Sequence, residues 1–181
     1  MILTVTLNPS LDRTLEVDRL ERGEVLRTST ATLEPGSPLF DHGIDAVVSL
    51  MEENVSVGDW VVMSGSVPNG FSSQHVRRFV AALPTGGINL AVDMSGHALA
   101  DAVDAGSRLI KPNRKELAEI TCTSLDCISD VIAAVRRVRS RGVEFVAVSL
   151  GADGAVLVGG SGVVVGTSRV ERPRSTHGAG D

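Results

Sequence analysis

Apolar residues come in short, separated runs along this chain, and their spacing predicts its elements. Ile2 to Leu7 is a strand-like run that stops at Asn8-Pro9-Ser10, a turn signal. Leu11 to Asp18 alternates weakly, with Leu11, Leu15 and Val17 on one side and Asp12, Thr14 and Glu16 on the other. Val25 to Leu33 is again rich in β-formers, and Glu21-Arg22-Gly23-Glu24 separates the two runs. The pattern predicts two paired strands with a polar and an apolar face, which suits a flap better than a central sheet. Glu34-Pro35-Gly36-Ser37-Pro38 breaks it. Ile44, Val47, Val48 and Met51 then fall at helical spacing, predicting a helix over Asp41 to Glu53 with Asp41 as its N-cap.

From Trp60 onward the period switches regularly between strand and helix. Strands are predicted at Trp60 to Met63, Asn89 to Val92, Leu109-Ile110 and Phe145 to Leu150. Helices are predicted at Ser73 to Leu83, Ala98 to Val103, Arg114 to Thr121 and Cys127 to Arg141, the last with Val131, Val135 and Val138 inward and four arginines outward. Gly154 to Val158 and Gly162 to Val165 read as a hairpin across Gly159-Gly160-Ser161. This alternation predicts an α/β fold, a mostly parallel sheet with helices on both faces, plus a partial β lid near the N-terminus. One domain is expected over residues 1–181, with 11–36 as the partial lid and 37–181 as the α/β body. In such sheets the chemistry collects where the C-terminal ends of strands meet the following loops. Ser64, Ser66, Asp93, Asn113 and Ser149 all fall there.

Composition narrows the picture. At 181 residues with 43% hydrophobic but only 3% aromatic content, the core must be filled by Val, Ile, Leu and Ala. A net charge of −5 and the lack of a Lys/Arg stripe interleaved with aromatics argue against nucleic acid as a partner. No apolar run reaches membrane-spanning length and the first residues carry no basic leader, so a soluble cytoplasmic protein without a membrane partner is expected. Cys122 and Cys127, a single Cys-x4-Cys pair, suit neither a zinc site nor a disulfide framework.

Ser175 to Asp181 is the segment with the clearest chemistry. Gly178-Ala179-Gly180 is a small-residue turn with open backbone N–H groups, which at the start of a helix makes an anion hole. Asp181 would stand beside it, in the place of a base for a hydroxyl whose phosphorylation the anion hole assists. Taken singly, each polar group also has an ordinary structural account. Asp181 is a first-turn residue favoured by the helix dipole; Asn113 and Glu116 form a helix cap; Ser149 to Gly154 is a β-turn; Asp12 faces water; Ser66 caps a helix.

Taken in order, six segments resemble the ribokinase-like (PfkB) carbohydrate kinases, in particular the phosphofructokinase and tagatose-phosphate kinase branch. They are Asn8-Pro9-Ser10-Leu11-Asp12, Ser64 to Gly70, Asp93-Met94-Ser95-Gly96, Lys111 to Glu116, Ser149 to Gly154 and Gly178 to Asp181. The resemblance implies ATP and Mg2+ as cofactors and a sugar phosphate as substrate. It makes Asp181 the catalytic base and the amides of Gly178, Ala179 and Gly180 the phosphoryl cradle. It places Lys111, Asn113, Ser149, Leu150, Gly151, Ala152, Asp153 and Gly154 around ATP. It gives Glu116 to the metal, through water, and Asp12, Ser66 and Gly36 to the sugar phosphate. It also implies a lid that pairs between subunits, hence a homodimer.

The chain departs from the family pattern in two places. Leu33-Glu34-Pro35-Gly36 approaches the family's sugar-gripping glycine motif, but Ser37-Pro38-Leu39 resembles a segment much further along, as if the motif, its helix and the rest of the lid were deleted. The family also continues past the equivalent of Asp181, so a C-terminal truncation is expected. His177 stands where a small or β-branched residue is usual. The expected function is ATP-dependent phosphorylation of fructose 6-phosphate, the run from Leu26 to Gly36 being nearer that kinase. The alternatives are a 1-phosphofructokinase or tagatose-phosphate kinase, and an inactive remnant or non-catalytic nucleotide-binding protein. Without the sugar-gripping segment, phosphorylation by the chain as written is expected to be weak.

Overall fold

The structure is a computed structural model that describes residues 1–7, 41–68, 70–83 and 89–167. The expected lid, residues 11–36, lies outside the described residues, as do Asp12, Gly36 and Gly178 to Asp181. The elements run in the order β1 (Ile2–Thr6), α1 (Asp41–Asn54), β2 (Trp60–Ser64), α2 (Ser73–Ala81), β3 (Asn89–Asp93), α3 (Gly96–Asp104), β4 (Leu109–Ile110), α4 (Arg114–Thr121), α5 (Ile128–Arg139), β5 (Phe145–Ser149), a 3-10 turn (Gly151–Asp153), β6 (Ala155–Gly159) and β7 (Gly162–Gly166).

The strands form one seven-stranded sheet in sequence order. Strands β1 to β5 are parallel, and β6 and β7 are added antiparallel. The division follows from the connections. A parallel neighbour needs a long crossover, which the helices supply, whereas Gly160-Ser161 is a two-residue hairpin link that can only reverse the chain. The result is an α/β fold with a mostly parallel sheet.

The core is aliphatic, as the composition requires. Val76 and Phe79 of α2 are buried, as are Ala98, Leu99, Ala102 and Val103 of α3 and Val131, Ala134, Val135 and Val138 of α5. The last set sits at i, i+3, i+4 and i+7, one stripe of a helix. These stripes meet Val61, Met63, Val92, Ile110, Val146 and Val148 of the sheet. β3 is buried at each residue from Asn89 to Val92, so it is covered on both faces, whereas β2 and β5 alternate between buried and half-buried positions.

Several boundaries differ from the sequence pattern for local reasons. α3 begins two residues earlier than expected, because Ser95 holds the extended N-cap conformation. α2 stops at Ala81, where the chain tightens: the Leu83 N–H donates to Val80 O at 3.2 Å. α5 starts at Ile128 with Cys127 as cap, and ends at Arg139 before Gly142, whose φ is 110°. Of the four arginines expected outward, Arg136, Arg137 and Arg141 are exposed but Arg139 is half-buried, its Nε donating to Glu144 O at 3.1 Å. Both cysteines are free and exposed.

Candidate active site

Parallel register lines up the polar strand ends predicted from sequence. Ser64 at the end of β2 pairs in register with Asp93 at the end of β3. The Gly65 N–H, one residue on, donates to Asp93 O at 3.1 Å. Beyond β4, the Lys111 N–H donates to Val92 O at 2.9 Å, which brings Lys111 beside β3. Its Nζ lies 3.1 Å from Asp93 Oδ1, an ion pair with both side chains partly exposed. Asn113 forms an isolated parallel bridge with Ser149 at the end of β5. The Ser149 N–H donates to Pro112 O at 3.0 Å. One edge of the sheet therefore carries Asp93, Lys111, Asn113 and Ser149 side by side. Ser66, two residues past β2, is exposed at the same edge.

The first turn of α4 fixes two of the predicted residues. Asn113 has extended backbone angles and is the N-cap; its Oδ1 accepts the Glu116 N–H at 2.9 Å. Glu116 reaches back, its Oε2 accepting the Asn113 N–H at 2.8 Å. This reciprocal pair satisfies two backbone donors that a helix start leaves open. The structural account of Asn113 and Glu116 is therefore true, and it also holds the carboxylate at the strand-end edge.

Electrostatics single out Glu116. Burial pushes its carboxyl above the usual glutamate range. The Asn113 N–H pulls it back, nearby Asp93 pushes it up and Lys111 offsets that push. Among the described residues no group of three or more His, Cys, Asp or Glu comes together. Mg2+ is bound through one or two carboxylates while keeping several waters, so a single carboxylate such as Glu116 suits it as a donor acting through water. Ser149 Oγ is buried without a hydrogen-bond partner among the described residues.

The Ser149 to Gly154 segment leaves β5 and turns through the 3-10 turn. The Leu150 N–H donates to Gly154 O at 2.8 Å and the Asp153 N–H to Leu150 O at 3.2 Å, so the segment closes on itself. Gly151, Ala152 and Asp153 are exposed. Gly154 has φ 96°, and a Cβ there would overlap the Gly166 carbonyl oxygen of β7 and lie 2.9 Å from Thr167 Cα. Glycine is demanded here by the close approach of the hairpin.

The sequence pattern missed one residue at this edge. Arg114, between Asn113 and Glu116, reaches Asp153 Oδ2 at 2.8 Å through Nη2 and Leu125 O at 3.3 Å through Nη1. Nothing local pairs residues so far apart; only the register of α4 against the end of β5 does. A separate open hollow of about 350 Å3 lies between α2 and α3, lined by Arg77, Val80, Ala81, Asp101, Asp104 and Ala105. It sits at the C-terminal ends of those helices, hence at the opposite end of the parallel strands from Asp93 and Asn113.

Comparison with known proteins assigns the family. The description "pfkB family carbohydrate kinase" matches residues 16–181. The chain belongs to the PfkB family of carbohydrate kinases. It is similar to the 1-phosphofructokinase of Rhodobacter capsulatus, 37% identical over 148 residues, which are 81% of this chain and 47% of that protein. The structure resembles that of phosphofructokinase-2 from Escherichia coli in complex with fructose-6-phosphate, with TM-score 0.69 and 28% identity over 77% of this chain and 46% of that one. It shares its fold with an Arabidopsis thaliana ribokinase, with TM-score 0.54 and 18% identity over 68% of this chain and 38% of that one. The chain thus spans about half the length of the curated relative it matches. No helix among the described residues is long and apolar enough to cross a membrane.

Proposed function

We propose that this chain carries the nucleotide-binding and phosphoryl-transfer half of an ATP-dependent fructose-phosphate kinase. The observation that carries the reading is the strand-end edge where Lys111 pairs with Asp93 beside the reciprocal Asn113–Glu116 cap. Hydroxyl phosphorylation by ATP needs three provisions: charge to neutralise phosphates, a carboxylate to hold Mg2+, and a base for the acceptor. Lys111 and the Ser149 to Gly154 turn supply groups for the phosphates and the rest of the nucleotide, with Asn113 beside them. Glu116 takes the Mg2+ through water. Asp181 acts as the base and the Gly178 to Gly180 amides as the anion hole. Ser66, Asp12 and Gly36 face the sugar phosphate. The setting is the cytoplasm, and a second copy of the chain pairs through residues 11–36.

The acceptor is a fructose monophosphate. The run from Leu26 to Gly36 favours fructose 6-phosphate, as does the ligand named for the similar Escherichia coli structure. The 37% identity to a 1-phosphofructokinase exceeds the 28% to phosphofructokinase-2, and favours fructose 1-phosphate as a second reading. Calorimetric titration with Mg·ATP tests the nucleotide half: saturable binding weakened by Glu116→Ala is expected, and no binding, or binding indifferent to that change, sinks it. A coupled ADP-release assay with each fructose phosphate then names the acceptor. Any turnover is expected to vanish in Asp181→Ala; turnover that persists removes Asp181 from the role of base.

A further inference from the structure

Arg114 stands at the first position of α4, and its guanidinium joins three separate pieces of chain. The backbone of Arg114 belongs to the helix whose cap holds Asn113 and Glu116. One nitrogen meets Asp153 in the 3-10 turn at 2.8 Å, and another donates to the Leu125 carbonyl between α4 and α5 at 3.3 Å. Arginine suits this place because its planar fork reaches two acceptors at once, which a lysine ammonium on a flexible stem does less well. The turn it holds has little else on that side: Gly151, Ala152 and Asp153 bury no apolar side chain. On the other side Gly154 is jammed against β7.

We propose that Arg114 is a positioning residue that straps the Gly151 to Gly154 turn to the first turn of α4, so that the nucleotide site is ordered before its ligand arrives. The strap rests on the reading of this edge as a nucleotide site. The Asp153 side chain is 66% exposed and that of Arg114 34%, so the pair contributes little to global stability. Its effect is local. Removing it leaves the helix and strand in place and lets the turn open, and a ligand then has to order that turn on binding.

Amide hydrogen exchange on the full chain without ligand reads the strap directly. In Arg114→Ala the amides of Leu150, Asp153 and Gly154 are expected to exchange about three- to ten-fold faster than in the wild type, with the core amides of β5 unchanged. The Kd for Mg·ATP is expected to rise by a similar factor while the Kd for the fructose phosphate stays the same. Arg114→Lys, which keeps the charge but not the fork, is expected to fall between the two. Arg114→Ala and Asp153→Ala combined are expected to match either change alone, since both cut one strap. Unchanged exchange in the turn, or a changed Kd for both ligands alike, overturns the proposal. If Arg114→Ala does not fold, Asp153→Ala on the exposed side of the pair, which removes the acceptor, gives the same readout. If the wild type binds no Mg·ATP, the nucleotide reading of the edge fails, and the strap is judged on exchange alone.

Discussion

Gly154 and Glu116 show how single residues divide between holding the fold and the role proposed for them in the site. Gly154 has a left-handed φ and no room for a Cβ against β7. Alanine there has to bend the turn or lift the hairpin, and Gly154→Ala is expected to cost about 2–4 kcal/mol. In a domain of this size that is roughly 5–15 °C in Tm. Gly160 meets nothing within 4 Å of a Cβ, so Gly160→Ala is expected to stay within about 0.5 kcal/mol of wild type. Equal melting points for the two variants contradict this account. Glu116 tests the opposite case, a residue held at some expense to stability. Its folded carboxyl binds a proton more tightly than an ordinary glutamate, chiefly through burial. The folded state therefore carries the extra proton in the window above the usual glutamate range, and stability falls as pH rises through it. Glutamine keeps the cap without the charge. Glu116→Gln is expected to melt near wild type at pH 4 and above it at pH 7, while binding Mg·ATP less well. Thermal scans at the two pH values settle it; a Tm gain that is the same at both rejects burial of charge as the cause.

At the scale of the element, α4 is where sequence and structure agree best. Its bounds, Arg114–Thr121, are those the sequence predicts, because the signals are local: Asn as N-cap, Glu three residues later, and Leu117 on the buried side. Ends governed by tertiary contacts were less legible. Cys127 becomes a cap and the arginine-rich end of α5 is shorter, since the chain must turn at Gly142 to reach β5. The strand-end location of Ser64, Asp93, Asn113 and Ser149 was readable from the alternation alone. Their mutual contacts were not, because Lys111–Asp93 and Arg114–Asp153 depend on which strands become neighbours and in what register. The cap itself can be separated from the chemistry by two substitutions. Asn113→Ala removes the side-chain acceptor for the Glu116 N–H and is expected to cost about 1 kcal/mol. Asn113→Asp keeps the acceptor and is expected to keep the stability, yet it adds a negative charge where ATP phosphates are proposed to lie. Loss of nucleotide binding in Asn113→Asp at unchanged Tm supports a role beyond capping; unaltered binding there reduces Asn113 to a cap.

For the whole molecule, the sheet has one edge proposed to carry the site and another that holds the strands together. At the end opposite Asp93 and Asn113, Arg108 lies 5.8 Å from the ring centres of both Trp60 and Phe145, and its Nε is 2.6 Å from Glu144 Oε2. It also bonds Asn89 Oδ1, while its own carbonyl accepts the N–H groups of Glu144 and Phe145. One residue thus ties the first residues of β2, β3 and β5 around the start of β4, which has only two residues of its own. Because β4 leads directly to Lys111 and Asn113, a clamp at its start supports the proposed site without touching it. Arg108→Ala is expected to lower Tm and leave the Kd for Mg·ATP unchanged. The pH dependence follows from Glu144. The Arg108 hydrogen bond, against the opposing effect of burial, holds its carboxyl below the usual glutamate range. The folded state then binds fewer protons than the unfolded chain in that acidic window, so this stabilisation is present above the ordinary glutamate pKa of about 4.3 and lost as pH falls through the folded value. The Tm gap between wild type and Arg108→Ala is therefore expected to be widest near pH 7 and to narrow on acidification. A gap that holds constant below pH 4 shows that ring packing rather than the ion pair makes the clamp. A weakened Kd at full folding shows that the two edges of the sheet are coupled.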